Sequence, residues 1–171
     1  MADLTTTYLG LPLKNPLVPS SSPLSRSLDS ALHLEDAGAA ALVMHSLFEE
    51  EVRQDEAMID RFLVHPDAFG EAAGHLPSAG AFYSHLDSYL EQLQRLKARL
   101  SIPVVASLNG TTMDSWVDLG RELEAAGADA LELNVWFLAG DPTVAGAAVE
   151  QRYLTLLAAL KARVSLPVSL K

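Results

Sequence analysis

Two kinds of stretch alternate along the chain, one with a one-sided apolar stripe and one apolar almost throughout. Leu86, Leu90, Leu93, Leu96 and Leu100 recur every three or four positions, as do Tyr153, Leu156, Leu157 and Leu160. Trp116, Val117, Gly120 and Leu123 mark a third stripe of the same period. Such spacing places the apolar side chains on one face of a helix. A shorter helix is expected from about Ser27 to Ala37. Between the helices lie brief β-rich runs: Ala41-Leu42-Val43-Met44, Val104-Val105-Ala106-Ser107-Leu108, Ala130-Leu131-Glu132-Leu133-Asn134 and Val168-Ser169-Leu170-Lys171. They are short enough for buried strands. With Asn15-Pro16-Leu17-Val18-Pro19 as the first strand, the order becomes a strict β-α alternation, which calls for a parallel sheet covered by helices.

Punctuation supports these boundaries. Ala37-Gly38-Ala39 and Ala126-Gly127-Ala128 each stand between a helix and a strand, where glycine suits a left-handed helix end. Ser101-Ile102-Pro103 and Ser165-Leu166-Pro167 each precede a strand, and a proline at a strand's first residue sacrifices little hydrogen bonding. The segment from Thr6 to Leu13 reads as a small hairpin within residues 1–14, closing the bottom of the sheet. Residues 49–80 are too long and too irregular for an ordinary connection, and read as a long loop and candidate lid. Within that loop, Glu49-Glu50-Glu51 reads as a solvated face.

A barrel is favoured over an open sheet. No strand is followed by a Gly-x-Gly-x-x-Gly turn, and polar residues gather where successive strands end: Ser20, Ser21 and Ser22, His45 and Ser46, Ser107 and Asn109, Asn134, and Lys171. The expectation is an α/β TIM (β/α)8 barrel, truncated after about five strands, with residues 1–171 forming one partial domain.

Composition narrows the chemistry. A net charge of -10, from 22 acidic and 12 basic residues, argues against nucleic acid or an anionic membrane as partner and leaves a small molecule or another protein. Apolar runs are far shorter than the ~20 residues that span a bilayer, and no signal peptide is legible, so a cytoplasmic protein is expected. The absence of cysteine excludes a thiolate nucleophile and disulfides. His33, His65, His75 and His85 lack metal-ligand spacing, and no metal is expected.

Thr6-Thr7-Tyr8-Leu9-Gly10-Leu11, then Asn15-Pro16 and Pro19-Ser20-Ser21-Ser22, resemble the start of class 1 dihydroorotate dehydrogenases and of the flavin domain of dihydropyrimidine dehydrogenase. Pro103 to Leu108 and Gly127 to Asn134 look like the third and fourth strands of the same family. The resemblance implies FMN as cofactor and hydride transfer from a pyrimidine-like or related small substrate. It implies that Ser20, Ser21, Ser22, His45, Ser46, Ser107, Asn109, Asn134 and Lys171 face the flavin, with Asn134 also on the substrate. A lysine at that place fits the negative charge that reduced flavin carries.

Two departures stand out. His45-Ser46 replaces the family's Lys-Ser, exchanging a permanent cation for a group mostly neutral at pH 7. Asn134-Val135-Trp136-Phe137 replaces Asn-x-Ser-Cys, so Phe137 stands where the family's proton-accepting cysteine would be, and Asp141 is the nearest carboxylate. The catalytic base is therefore unassigned. Because a barrel short of eight strands leaves unpaired edges, a homo-oligomer or a completing chain is expected as partner. The rival reading is a catalytically silent partial barrel serving as an interaction or assembly module.

Overall fold

The computed structural model describes residues 2–60, 83–110, 112–135 and 140–171. Strands β1 (Thr6–Tyr8) and β2 (Leu11–Leu13) form an antiparallel hairpin. Strands β3 (Leu42–Phe48), β4 (Val104–Asn109), β5 (Ala130–Asn134) and β6 (Val168–Leu170) form a parallel sheet in chain order. Helices α1 (Leu28–Asp36), α2 (Glu49–Ile59), α3 (His85–Arg99), α4 (Met113–Ala125) and α5 (Gly146–Lys161) connect them. The sheet is parallel, but no closed barrel is present among the described residues. No helix among the described residues is long and apolar enough to cross a membrane.

Two expected features are corrected. Asn15–Pro19 forms no regular strand: the chain bends at Asn15 and Pro16, Leu17 O accepts from Ala40 N–H and Pro19 O from Val43 N–H, but Leu17 N–H is spent on Asn15 Oδ1 (2.8 Å) and Pro16 and Pro19 have no N–H to return. The laddered sheet therefore has four strands. The expected loop at 49–80 begins as helix α2, whose Val52 and Asp55 are buried; residues 61–82 lie outside the described residues. That helix was hidden because its acidic first turn and single buried valine give a weak apolar stripe.

The two faces of the sheet differ. Leu42, Met44, Val104, Ala106, Leu108, Leu131 and Leu133 pack outward against Leu93, Leu96, Leu123, Leu156 and Leu160 of the helices. On the inner face, Val43, Val105 and Ala130 form a lower apolar layer covered by Leu9, Leu11 and Val18. Leu9 turns the hairpin with φ of 53°, a conformation that leucine adopts at some cost, and its burial against that layer offsets the strain.

The repeated punctuation has a shared physical cause. Gly38 and Gly127 end their helices with φ of 106° and 96°. Just before each, a helix glutamate reaches the neighbouring loop: Glu35 accepts from Ser101 N–H (2.9 Å) and Ser101 Oγ (2.5 Å). Glu124 accepts from Ser165 N–H at 3.0 Å and from Ser165 Oγ. Both pairs fasten the lower, amino-terminal end of the sheet. A third carboxylate, Asp129, receives Lys97 Nζ at 2.6 Å and Val104 N–H at 2.7 Å at that same end.

Candidate functional site at the carboxyl ends of the strands

Above the apolar inner layer the sheet turns polar. Ser46, Ser107, Glu132 and Ser169 are register partners across all four strands. Asn109 and Asn134 pair one step higher. Ser46 Oγ lies 2.9 Å from Ser107 Oγ, and Ser21 Oγ lies 3.3 Å from Ser46 Oγ, so three hydroxyls run from the first extended segment into the sheet. Lys171 Nζ reaches Glu132 Oε1 at 3.4 Å. Ser20, Val18, Val43 and Glu132 line a cavity of about 360 Å³ between hairpin and sheet. Ser22 stays in the turn, its carbonyl accepting from Ser25 N–H (3.3 Å) and Ser25 Oγ (3.0 Å).

A bulge decides which residues reach this rim. Between Val43 and Ser46, strand β3 advances three residues while β4 advances two, from Val105 to Ser107. The gap this opens in the ladder is filled by a side chain. Tyr89 Oη accepts from Ser107 N–H (3.0 Å) and donates to Ser107 O (3.2 Å). Burial pushes the phenol's pKa up, so the hydroxyl keeps the proton it donates. The bulge brings Ser46 onto the inner face and sends His45 toward α3, where its ring lies 4.9 Å from that of Tyr89.

His45 is held there by Ser25, a buried serine whose Oγ accepts from His45 N–H at 2.6 Å and lies 3.3 Å from Nδ1. Gln92 Nε2 donates to Ser25 O at 3.1 Å, tying the short 3-10 turn Pro23–Arg26 to α3. Burial, and secondarily the charge of Arg26, lower the His45 pKa from 6.5 to about 4. The ring is therefore neutral at pH 7. It lines a cavity of about 340 Å³ with Arg26, Ser46, Glu51, His85, Tyr89 and Gln92.

Glu49 contradicts the expected solvated face: it is 1% exposed. Its carboxylate accepts from Thr112 N–H (2.9 Å) and Thr112 Oγ1 (2.6 Å), and Arg53 lies 3.3 Å away. Thr112 is the N-cap of α4, so a residue starting α2 caps α4 across the loop that follows β4. Gly110 permits the approach; a Cβ there would stand 2.9 Å from Glu49 Oε2 and 3.0 Å from the Trp116 ring.

No family model matches the chain. Curated proteins do. The chain is 33% identical over 135 residues to the catalytic subunit of dihydroorotate dehydrogenase B (NAD(+)) from Thermoplasma acidophilum, a match covering 79% of this chain and 42% of that protein. The chain is dihydroorotate dehydrogenase-like. This dihydroorotate dehydrogenase-like chain is also 26% identical over 149 residues to the NAD-dependent dihydropyrimidine dehydrogenase subunit PreA of two Escherichia coli strains, covering 77% of itself and 32% of PreA. It thus spans less than half the length of these relatives. Among solved structures it aligns with PhdJ bound to a substrate intermediate, with a TM-score of 0.49 and 16% identity over 91% of this chain and 38% of that one.

In the dihydroorotate dehydrogenase-like chain, the structure gathers Ser20, Ser21, Ser46, Ser107, Asn109, Asn134 and Lys171 on the inner face or its rim. It sets His45 apart, toward α3. Phe137 lies outside the described residues. Asp141 is exposed and occupied by its own turn, accepting from Thr143 Oγ1 (2.6 Å) and N–H (2.8 Å); first the hydroxyl and then the amide hold its pKa below the usual carboxylate value. Tyr89, Ser25, Glu49 and Glu132 escaped the reading of the sequence. Only Glu132 carried a usable signal, a charge inside an otherwise apolar strand.

Proposed function

We propose that this chain supplies the amino-terminal part of an FMN-dependent β/α-barrel oxidoreductase acting on a pyrimidine-like or related small molecule. The observation that carries the reading is the polar inner rim: hydroxyls of Ser21, Ser46 and Ser107 and amides of Asn109 and Asn134 above an apolar layer, on the face opposite the helix-packed one. These groups fit the pyrimidine edge of a flavin, which alternates carbonyl acceptors with an N–H donor. In this reading Ser20, Ser21 and Ser22 form the turn beneath the ring, and Asn134 reaches both ring and substrate. Lys171, now paired with Glu132, supplies the cation beside the edge that becomes negative on reduction. When bound, FMN accepts the hydride. His45 packs against Tyr89 and makes no flavin contact in this reading, whereas Ser46 does.

The Thermoplasma acidophilum relative is named as a catalytic subunit and PreA as a subunit. By analogy we assign this chain a partner polypeptide, with further barrel strands providing the phosphate site. The complete protein should purify yellow, and after flavin removal should take up one FMN. A colourless protein that takes up no added FMN overturns the proposal. With Phe137 at the family's base position, dihydroorotate turnover is expected to be feeble, and brisk turnover by the complete protein overturns that part.

A further inference from the structure

We propose that the Asp55–His85 pair is a proton-accepting site: Nε2 of His85 takes the proton from the substrate carbon next to the one whose hydride passes to FMN. That role rests on the flavin reading above; the orientation of the pair rests on the structure of the chain.

His85 opens α3 and Asp55 lies on α2. A single oxygen, Asp55 Oδ2, accepts from the backbone N–H of His85 (2.6 Å) and from its ring at Nδ1 (2.9 Å). Two bonds from one residue to one atom fix the ring's rotation as well as its place. A carboxylate has no proton to give, so Nδ1 is the donor and the neutral ring keeps its lone pair at Nε2. No described residue bonds Nε2. Capping does not account for the ring bond. Ser84 and Asp87 already close the start of α3 reciprocally, Asp87 N–H on Ser84 Oγ and Ser84 N–H on Asp87 Oδ2, both at 3.0 Å. The result is an oriented base: a buried carboxylate sets the tautomer from behind and faces the charge the ring gains. The imidazole itself is 58% exposed and open to a ligand.

His85 lines the cavity of about 340 Å³ that Ser46 also lines, so the base and the proposed flavin rim border one space. Around the ring stand Asp55 and Glu51 from α2, Arg26 from the 3-10 turn and His45 from β3. His45 is unsuited to the task. Its Nδ1 meets the Ser25 hydroxyl in place of a carboxylate, and the Arg26 charge opposes a second cation beside it. His85 thus supplies the titratable group that the sequence lacks at Phe137. In the step, a reduced pyrimidine-like ring loses hydride from one carbon to FMN and a proton from the neighbouring carbon to Nε2. The electron pair of the second C–H bond becomes the new bond of C=C, and the hydride reduces FMN. His85 is left as imidazolium against Asp55 and returns the proton to water.

Anaerobic mixing of the complete, FMN-loaded protein with dihydrouracil tests the proposal, followed by bleaching of the flavin across pH. The wild-type rate is expected to fall on the acid side, where the ring already holds a proton. His85→Gln should bleach about 10²–10⁴-fold more slowly and lose that acid limb, with FMN affinity unchanged. Asp55→Asn should slow bleaching about 10–100-fold, because an amide no longer dictates the tautomer. A purely structural pair would leave the acid limb in place. A His85→Gln protein that keeps the wild-type rate or acid limb, or wild-type flavin that dihydrouracil does not bleach, overturns the proposal. Two readings need no flavin. The nitrogen NMR spectrum of the flavin-free protein should show the neutral His85 ring protonated at Nδ1, and dihydrouracil should protect Nε2 from carbethoxylation by diethylpyrocarbonate. Both results together support the proton-accepting site even if the protein binds no FMN and the flavin reading fails. A neutral ring protonated at Nε2, or labelling that dihydrouracil does not slow, overturns it whether or not FMN binds.

Discussion

At the lower end of the sheet, Glu35 and Glu124 each accept the N–H and hydroxyl of a serine; at the upper end, Glu49 accepts the same two groups from Thr112. The bonds match, but the surroundings do not. Ser101 and Ser165 are exposed, so water can replace either clamp when it opens. Glu49 is 1% exposed beneath Gly110 and Trp116, where water cannot follow. One chemical unit is thus dispensable where it sets a turn and essential where it joins the start of α2 to the start of α4 under the proposed site. Burial, more than bond count, sets the worth of a carboxylate.

The largest test of this contrast is Glu49→Ala, expected to cost about 3–5 kcal/mol in chemical denaturation of the complete protein, because it strands partners of a buried charge. A loss under ~1 kcal/mol would make the two ends equivalent. Gly110→Ala probes the same clamp from the other side. Its methyl would stand 2.9 Å from the Glu49 carboxylate, and we expect a loss of about 1–3 kcal/mol. Combined with Glu49→Ala, the glycine substitution should lose much of its effect.

Tyr89→Phe removes the hydroxyl that fills the bulge and leaves Ser107 N–H and C=O without it, at about 1–3 kcal/mol. Hydrogen exchange should show the Ser107 amide opening first. At the lower end, Glu35→Ala and Glu124→Ala are each expected to cost under ~1 kcal/mol and to add when combined. A cost near that of Glu49→Ala would break the comparison.

Acid sharpens it last. His45 has a folded pKa of about 4, below its ordinary 6.5, so the unfolded chain takes the proton first. Its contribution is complete above pH 6.5 and fades as pH falls toward 4, by on the order of 1 kcal/mol for this half-buried ring. His45→Gln should remove that window. Glu35, whose pKa the Ser101 hydroxyl lowers most, loses its contribution only at more acid pH, below the ordinary value of 4.5.

Much of the fold was legible because it rests on local rules. Gly38 and Gly127 marked helix ends, Pro103 and Pro167 preceded strands, and leucine spacing gave α3 and α5. The polar ends of the strands were visible for the same reason. What escaped depends on partners remote in sequence. Three acidic residues in a row read as a wet surface, and Glu49 is buried only because Gly110 leaves room for it. His45 and Ser46 looked equivalent until Tyr89 filled a bulge between them and Val43. Asn15–Pro19 had the composition of a strand, yet its prolines deny the ladder its donors.

The order of the sheet, β3-β4-β5-β6, is also the order of synthesis. Each strand docks on the edge left by the one before it, so no strand must wait for a later one before finding a neighbour. A chain emerging from the ribosome can lengthen its sheet stepwise, with short loop closures at each addition. The growing edge is always the newest strand, and at every stage it is ready for the next.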